Sequence, residues 1–234
     1  NGTDKGVALG YDAHANGTSG SFALGTQTRA TGNQAMALGF HANCSGIGAV
    51  SAGYTANAAA TFSTAIGYAA KTQTGSNSTA LTKSYASGAD SFAAAIANNS
   101  SSYGATGANS IAMGDRTRAT SADAIAIGNF AVASDTYAIA MGFRAEATQD
   151  FAVAVGREVK SDIYGKHAQS SGRFSSTGDA QAGTFILRSD TTDATAEALT
   201  TNKSTASTTN QIILPNNSAY SFSGTIVARE SATD

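Results

Sequence analysis

The chain has 234 residues, with 25 glycines, one proline, one cysteine, no tryptophan and a formal net charge of −2. Only 13% of its side chains are charged, against roughly 25% in an average globular domain, and neither a basic surface to follow phosphates nor an acidic tail is present, which argues against nucleic acid as the partner. No run of about 18 apolar residues could span a bilayer, and the opening NGTDKG carries neither a charged n-region nor an apolar h-region, so a mature or excised fragment is expected.

In chain order the sequence repeats one tetrad of bulky, small, bulky and glycine residues. The copies are VALG (7–10), FALG (22–25), MALG (36–39), VSAG (50–53), TAIG (64–67), IAMG (111–114), IAIG (125–128), IAMG (139–142) and VAVG (153–156), with degenerate copies TALT (79–82) and FAAA (92–95) between them. Successive last positions are 15, 14, 14, 14, 15, 13, 19, 14, 14 and 14 residues apart, which defines eleven units of period 14. The stretched interval contains ANNSSSYGATG (97–107), read as a dispensable surface loop.

Fourteen residues are too few for a pair of helices and suit two short strands with two turns. Alternation within each tetrad sets Ile111 and Met113 on one face of a strand and Ala112 on the other. A second alternating run follows, as in Ala131 and Ala133, and the connecting segments are rich in Gly, Ser, Thr, Asn and Asp. Stacked units give a parallel β-solenoid, with Gly10, Gly25, Gly39, Gly53, Gly67, Gly114, Gly128, Gly142 and Gly156 as coil-turn glycines. The large ladder (Val7, Phe22, Met36, Val50, Phe92, Ile111, Ile125, Ile139 and Val153, with Leu9, Leu24, Leu38, Ile66, Leu81, Met113, Ile127, Met141 and Val155) is expected to fill the inside of the roll. The small ladder, including Ala8, Ala23, Ala37, Ala65, Ala112, Ala126, Ala140 and Ala154, is expected to meet neighbouring protomers, because a thin roll has too little bulk to stand alone. Cys44 alternates with Ala42 and reads as a small buried residue rather than a reactive thiol.

After the roll (1–157) comes a connecting segment (158–178) and then 179–234, read as a small β module of four short strands: the alternation around Phe185 and Leu187, the run Ile212–Leu214 stopped by Pro215 and the turn NNS, and a last strand carrying Tyr220, Phe222 and Ile226.

The series SIAMG, ATSADAIAIG, ASDTYAIAMG and ATQDFAVAVG resembles the head repeat of trimeric autotransporter adhesins, the YadA-like head. The resemblance covers residues 4 to about 157 and implies a left-handed parallel β-roll assembled as a homotrimer. The following text differs from an adhesin, since no coiled-coil stalk appears; AAAIANNSSSYGATGANS, SGRFSSTGDAQ and a strand ending in IVARE resemble structural, fibre or receptor-binding parts of bacteriophage tails. In such proteins the last domain runs past the IVARE strand, so 179–234 is expected to be truncated.

No catalytic or metal constellation emerges. His14, His41 and His167 are far apart without ligand spacing, Asp115, Asp123 and Asp135 fall in turns where Asp bonds its own backbone, and no phosphate loop or nucleophile elbow is present, so no cofactor is expected. The residue after the tetrad is aromatic in five coils (Tyr11, Phe40, Tyr54, Tyr68 and Phe143), a row that could stack on glycans or pack at a coil corner. Tyr103 in the inserted loop, with Tyr54 and Tyr68, is a candidate receptor contact. The expected role is a non-enzymatic structural and host-attachment protein of a phage tail, found in the virion tail or extracellularly. Its expected partners are two further copies of itself, other tail or surface-structure proteins, and a host glycan or protein receptor, with no membrane insertion. A bacterial adhesin head is the first alternative and a polysaccharide-degrading tailspike the second; an ice-binding solenoid is weakened by the variable residues beside the tetrads.

Overall fold

A computed structural model describes residues 5–98, 100–214 and 218–228. Among them no helix forms; the chain winds into two sheets, one of 13 strands built from the tetrads and one of 11 built from the second runs. Each strand pairs in parallel with its equivalent one coil along. Ile111, Ala112 and Met113 stand opposite Ile125, Ala126 and Ile127, which in turn face Ile139, Ala140 and Met141. In the second sheet Arg118 and Ala119 pair with Val132 and Ala133. Identical units stack in register because the repeat length fixes the register, and the strand N–H groups find carbonyls one coil away while some corner N–H groups, such as that of Ala124 to Ser121, bond within their own coil.

The two faces of the tetrad sheet are the reverse of the sequence expectation. Ala23, Ala37, Ala65, Ala112, Ala126, Ala140 and Ala154 are all 0% exposed and lie inside the roll. The bulky ladder lies outside it, with Met113 39%, Met141 41% and Val155 44% exposed in the single chain. The physical reason is thickness. The two sheets of a coil are joined by turns of a few residues, which leaves room between them for little more than a Cβ from each side. Alanines of both sheets and of the coil corners (Ala126, Ala133, Ala131, Ala138) therefore fill the interior. Serines share these positions where they can bond locally: the Ser110 hydroxyl donates to the carbonyl of Gly107 at 2.6 Å and Ser51 to that of Ala56 at 2.8 Å. Ala8, in the first coil, is exposed.

The roll continues one coil beyond residue 157. His167–Ser170 pairs in register with Val153–Gly156, so HAQS is a twelfth tetrad that keeps the buried small residue, Ala168, and loses the bulky ones. The sheet then ends by reversal: Ala182–Thr184 lies antiparallel on His167–Gln169. The edge of the second sheet is covered by a side chain, since the Gln181 amide accepts the Lys160 N–H and donates to the Lys160 carbonyl, both at 2.8 Å. Between these points Asp179 accepts backbone N–H groups of Phe174, Ser175 and Ser176, bonds that hold its carboxyl below the usual carboxylate range and tie SGRFSSTGD into one loop.

Of the four strands expected over 179–234, the structure forms Ala182–Thr184 and one bridge between Arg188 and Thr200. Ile213, Leu214, Phe222, Ile226 and Val227 are exposed and stand in no strand. Alternating apolar residues make a strand only where an edge accepts them, and among the described residues none does. Pro215 and Asn216–Asn217 lie outside the described residues.

The insertion is shorter than the stretch 97–107. Arg116 N–H donates to Ile96 and Phe130 N–H to Asp115, both at 2.9 Å, so Ile96 stands where Asp115 stands in the next coil. Gly104–Ala105 is a strand of the second sheet paired with Arg118–Ala119. The five extra residues are therefore 98–102, and Tyr103 occupies the corner that Thr117 and Ala131 fill in later coils, partly buried against the alanine core. Deleting 98–102 is expected to change the unfolding free energy by no more than about 0.5 kcal/mol in thermal melts, whereas deleting 97–107 removes a strand and abolishes the cooperative transition.

Candidate functional surfaces

Three long features run along the roll: the outer face of the tetrad sheet, the outer face of the second sheet, and the turn that follows each tetrad. The first is apolar. From Val7 to Val155 its outward residues are Val, Leu, Phe, Met, Ile, Ala and Thr, with no charge, and polarity returns only in the twelfth coil with His167 and Gln169. The second face is polar, with Arg29, Asn43, Asn57, Lys71, Arg118, Glu146 and Lys160 on its outward row. Water suits one face and not the other.

The turn after the tetrad depends on glycine. Gly128 has φ +129°, and a Cβ on it would come within 2.3 Å of the Gly142 carbonyl oxygen one coil on. Gly10, Gly25, Gly39, Gly53, Gly67, Gly114, Gly142 and Gly156 share the positive φ, so these residues let backbone stack on backbone. Two residues later a second left-handed residue closes the turn, as at Arg116, Phe130, Arg144 and Glu158.

Aromatic residues at the turn stack on one another along the roll. Phe40 and Tyr54 lie 5.1 Å apart at 11°, Tyr54 and Tyr68 5.5 Å apart at 12°. Tyr54 thus has a ring against each face and stays half exposed, while Tyr103 lies at the inner corner of the turn in its own coil. A second stack, Tyr137 on Phe151 at 4.9 Å, sits on the opposite turn. Its members, Tyr137 and Phe151, are not beside a tetrad glycine, so the spacing that marks the first row does not mark them.

The three histidines and the turn aspartates are dispersed. His14 pairs with Asp12 at 2.7 Å, His41 sits edge-on to Phe40, and His167 lies on a strand. Asp123 accepts the Asn109 amide across one coil at 3.0 Å and Asp115 that of Asn129 at 3.3 Å. Burial, with Asp150 beside it, raises the Asp135 carboxyl above the usual range. Cys44 is buried, its thiol pushed up to about 11 by burial, and donates to the Ala49 carbonyl at 3.1 Å. Among the described residues no three His, Cys, Asp or Glu side chains converge as a metal site.

The model of the YadA head domain repeat matches residues 4–26, 19–42, 45–70, 105–131 and 133–158, just over half of the chain. The chain belongs to the YadA head repeat family. The matched segments carry the tetrads and second strands described above, and the gap between 70 and 105 spans the degenerate copies TALT and FAAA and the insertion. No curated protein and no solved structure gives a significant match. A YadA head is an adhesin-like β-roll of the kind displayed outside the cell, and no helix among the described residues is long and apolar enough to cross a membrane.

Proposed function

We propose that this YadA head is the shaft of a homotrimeric attachment protein that builds and binds without catalysing. The carrying observation is the uncharged, largely apolar ladder on the outer face of the tetrad sheet, eleven coils long and partly exposed throughout in the single chain. A patch of that extent is uncommon on a monomer and marks an association surface, and three copies meeting along parallel ladders would bury it while leaving the polar second sheet in water. The alanine ladder has no part in that contact, because it faces inward. Avidity from three copies raises the affinity of weak receptor contacts on the turns. Tyr54 and Tyr68, both exposed, remain candidates for such contacts.

The setting we favour is a phage tail. SGRFSSTGDAQ and IVARE after the roll support it, and a bacterial surface adhesin head is the competing setting. Sedimentation equilibrium of the purified chain tests the assembly: a particle of three 23.3-kDa chains is expected, and a folded monomer at micromolar concentration overturns the reading. Release of defined oligosaccharides from host polysaccharide, abolished by changing one carboxylate pair, would replace attachment with a tailspike activity.

A further inference from the structure

On the turn after the tetrads, over the last four coils with a regular turn, two neighbouring columns bring three arginines and two phenylalanines together. One reads Asp115, Asn129, Phe143, Arg157 and the other Arg116, Phe130, Arg144, Glu158. The guanidinium carbons of Arg116 and Arg144 lie 5.4 and 5.7 Å from the Phe130 ring centre, and those of Arg144 and Arg157 lie 5.2 and 5.8 Å from that of Phe143. At the end of the columns Glu158, with a side chain only 6% exposed, receives Arg173 at 3.4 Å, Arg157 at 3.5 Å and Arg144 at 4.0 Å. Three guanidiniums surround the one buried carboxylate, and Arg116 adds a fourth further along. Asp115, which accepts the Asn129 amide, and Asp179, which accepts three backbone N–H groups and feels the charge of Arg173, are carboxylates as well, so the four arginines exceed the three carboxylates by one.

We propose that these arginine–phenylalanine columns bind a linear acidic polysaccharide through its carboxylate or sulfate groups, with Arg116, Arg144, Arg157 and Arg173 as the contacting residues. The proposal rests on the attachment reading above and names a ligand class for it. Stacking on the rings holds the guanidinium planes in place and leaves their N–H edges free, which lowers the ordering cost of a bidentate contact. Glu158 shows that the cluster takes a carboxylate. Arg144, Arg157 and Arg173 keep 44%, 64% and 35% of their side chains exposed. Arg116 and Arg144 are two coils apart, about 10 Å at the strand spacing of a sheet, so the positive charge recurs along a straight line and fits a charged polymer better than a single small anion.

The test titrates the full chain with polygalacturonate, with neutral dextran and charge-matched duplex DNA as comparators. Polygalacturonate is expected to bind and dextran not to. Arg116→Ala and Arg157→Ala should each weaken binding by about fivefold to tenfold, with a shallower dependence on salt, while Arg29→Ala on the second sheet leaves it unchanged. Arg116 does not touch Glu158, so its variant keeps the cluster intact, and an unchanged melting temperature separates lost contact from lost fold. The proposal is overturned by absence of binding to the wild type, by equal loss in Arg29→Ala, or by DNA binding as tightly as polygalacturonate. Sedimentation of the same samples keeps the two readings apart: a monomer that binds overturns the trimer alone, and a trimer that does not bind overturns the polysaccharide site alone.

Discussion

Ile127→Asp is expected to convert the trimer into single chains. Ile127 stands in the middle of the outer ladder, opposite Met113 on one side and Met141 on the other, and projects away from the alanine interior. In the assembly proposed here it meets its own copies, so the substitution places three carboxylates together in an apolar seam. Each would lose hydration worth several kcal/mol with no cation to offset it, and together they repel. The aspartate costs the isolated roll less, because that position is on the outer face and partly exposed when the chain is alone. Sedimentation should therefore show the mass fall by a factor of three while far-ultraviolet circular dichroism keeps its β signature. An unchanged mass means the ladder is not the contact surface.

Ala126→Leu, one residue earlier, should act in the opposite order. Its Cβ points into the space between the two sheets, enclosed by Ala112 and Ala140 of the adjacent coils and fully buried. Three added carbons have nowhere to go, because the opposite wall is itself alanine and both walls are hydrogen-bonded backbone. Overpacking of this kind costs about 1–3 kcal/mol, and here it applies to every chain. Thermal unfolding should lose the β signal at a lower temperature whether the sample is dilute or concentrated. If Ala126→Leu instead releases folded monomers, the alanine ladder belongs to the interface after all. The neighbouring pair thus divides chain folding from assembly.

The repeat, its length, the parallel stacking and the turn glycines were legible because each leaves a mark at a fixed spacing. Which face is inside was not. Alternation separates two faces and carries no sign, and the habit of placing bulk inside assumes a core thick enough to hold it. The sequence did contain the clue: the inward position is Ala or Ser in every coil, while the outward one varies among Val, Phe, Met, Ile and Thr, and a narrow slot demands constant size. HAQS does not show as a coil in the sequence because it lacks the bulky residues of the other tetrads, although Ala168 is what the coil requires. Composition places Tyr103 in the loop, whereas the insertion's boundaries follow from hydrogen-bond register. The arginine and phenylalanine columns are hidden for a different reason: successive members of each column are 14 residues apart and become neighbours only after stacking.

The reversed strand Ala182–Thr184 and the Gln181 amide give the roll a terminator separate from its repeat. A parallel ladder of identical coils carries no instruction for length, since each finished coil is a template for the next. Here the instruction is a change of chain direction on one sheet and a side chain imitating a strand on the other. Reach and ending are consequently independent quantities. Gain or loss of one 14-residue unit moves the tip by about 4.8 Å and leaves the terminator untouched, so unequal recombination between near-identical repeats can adjust the distance at which the surfaces beyond the roll are held without redesigning any contact.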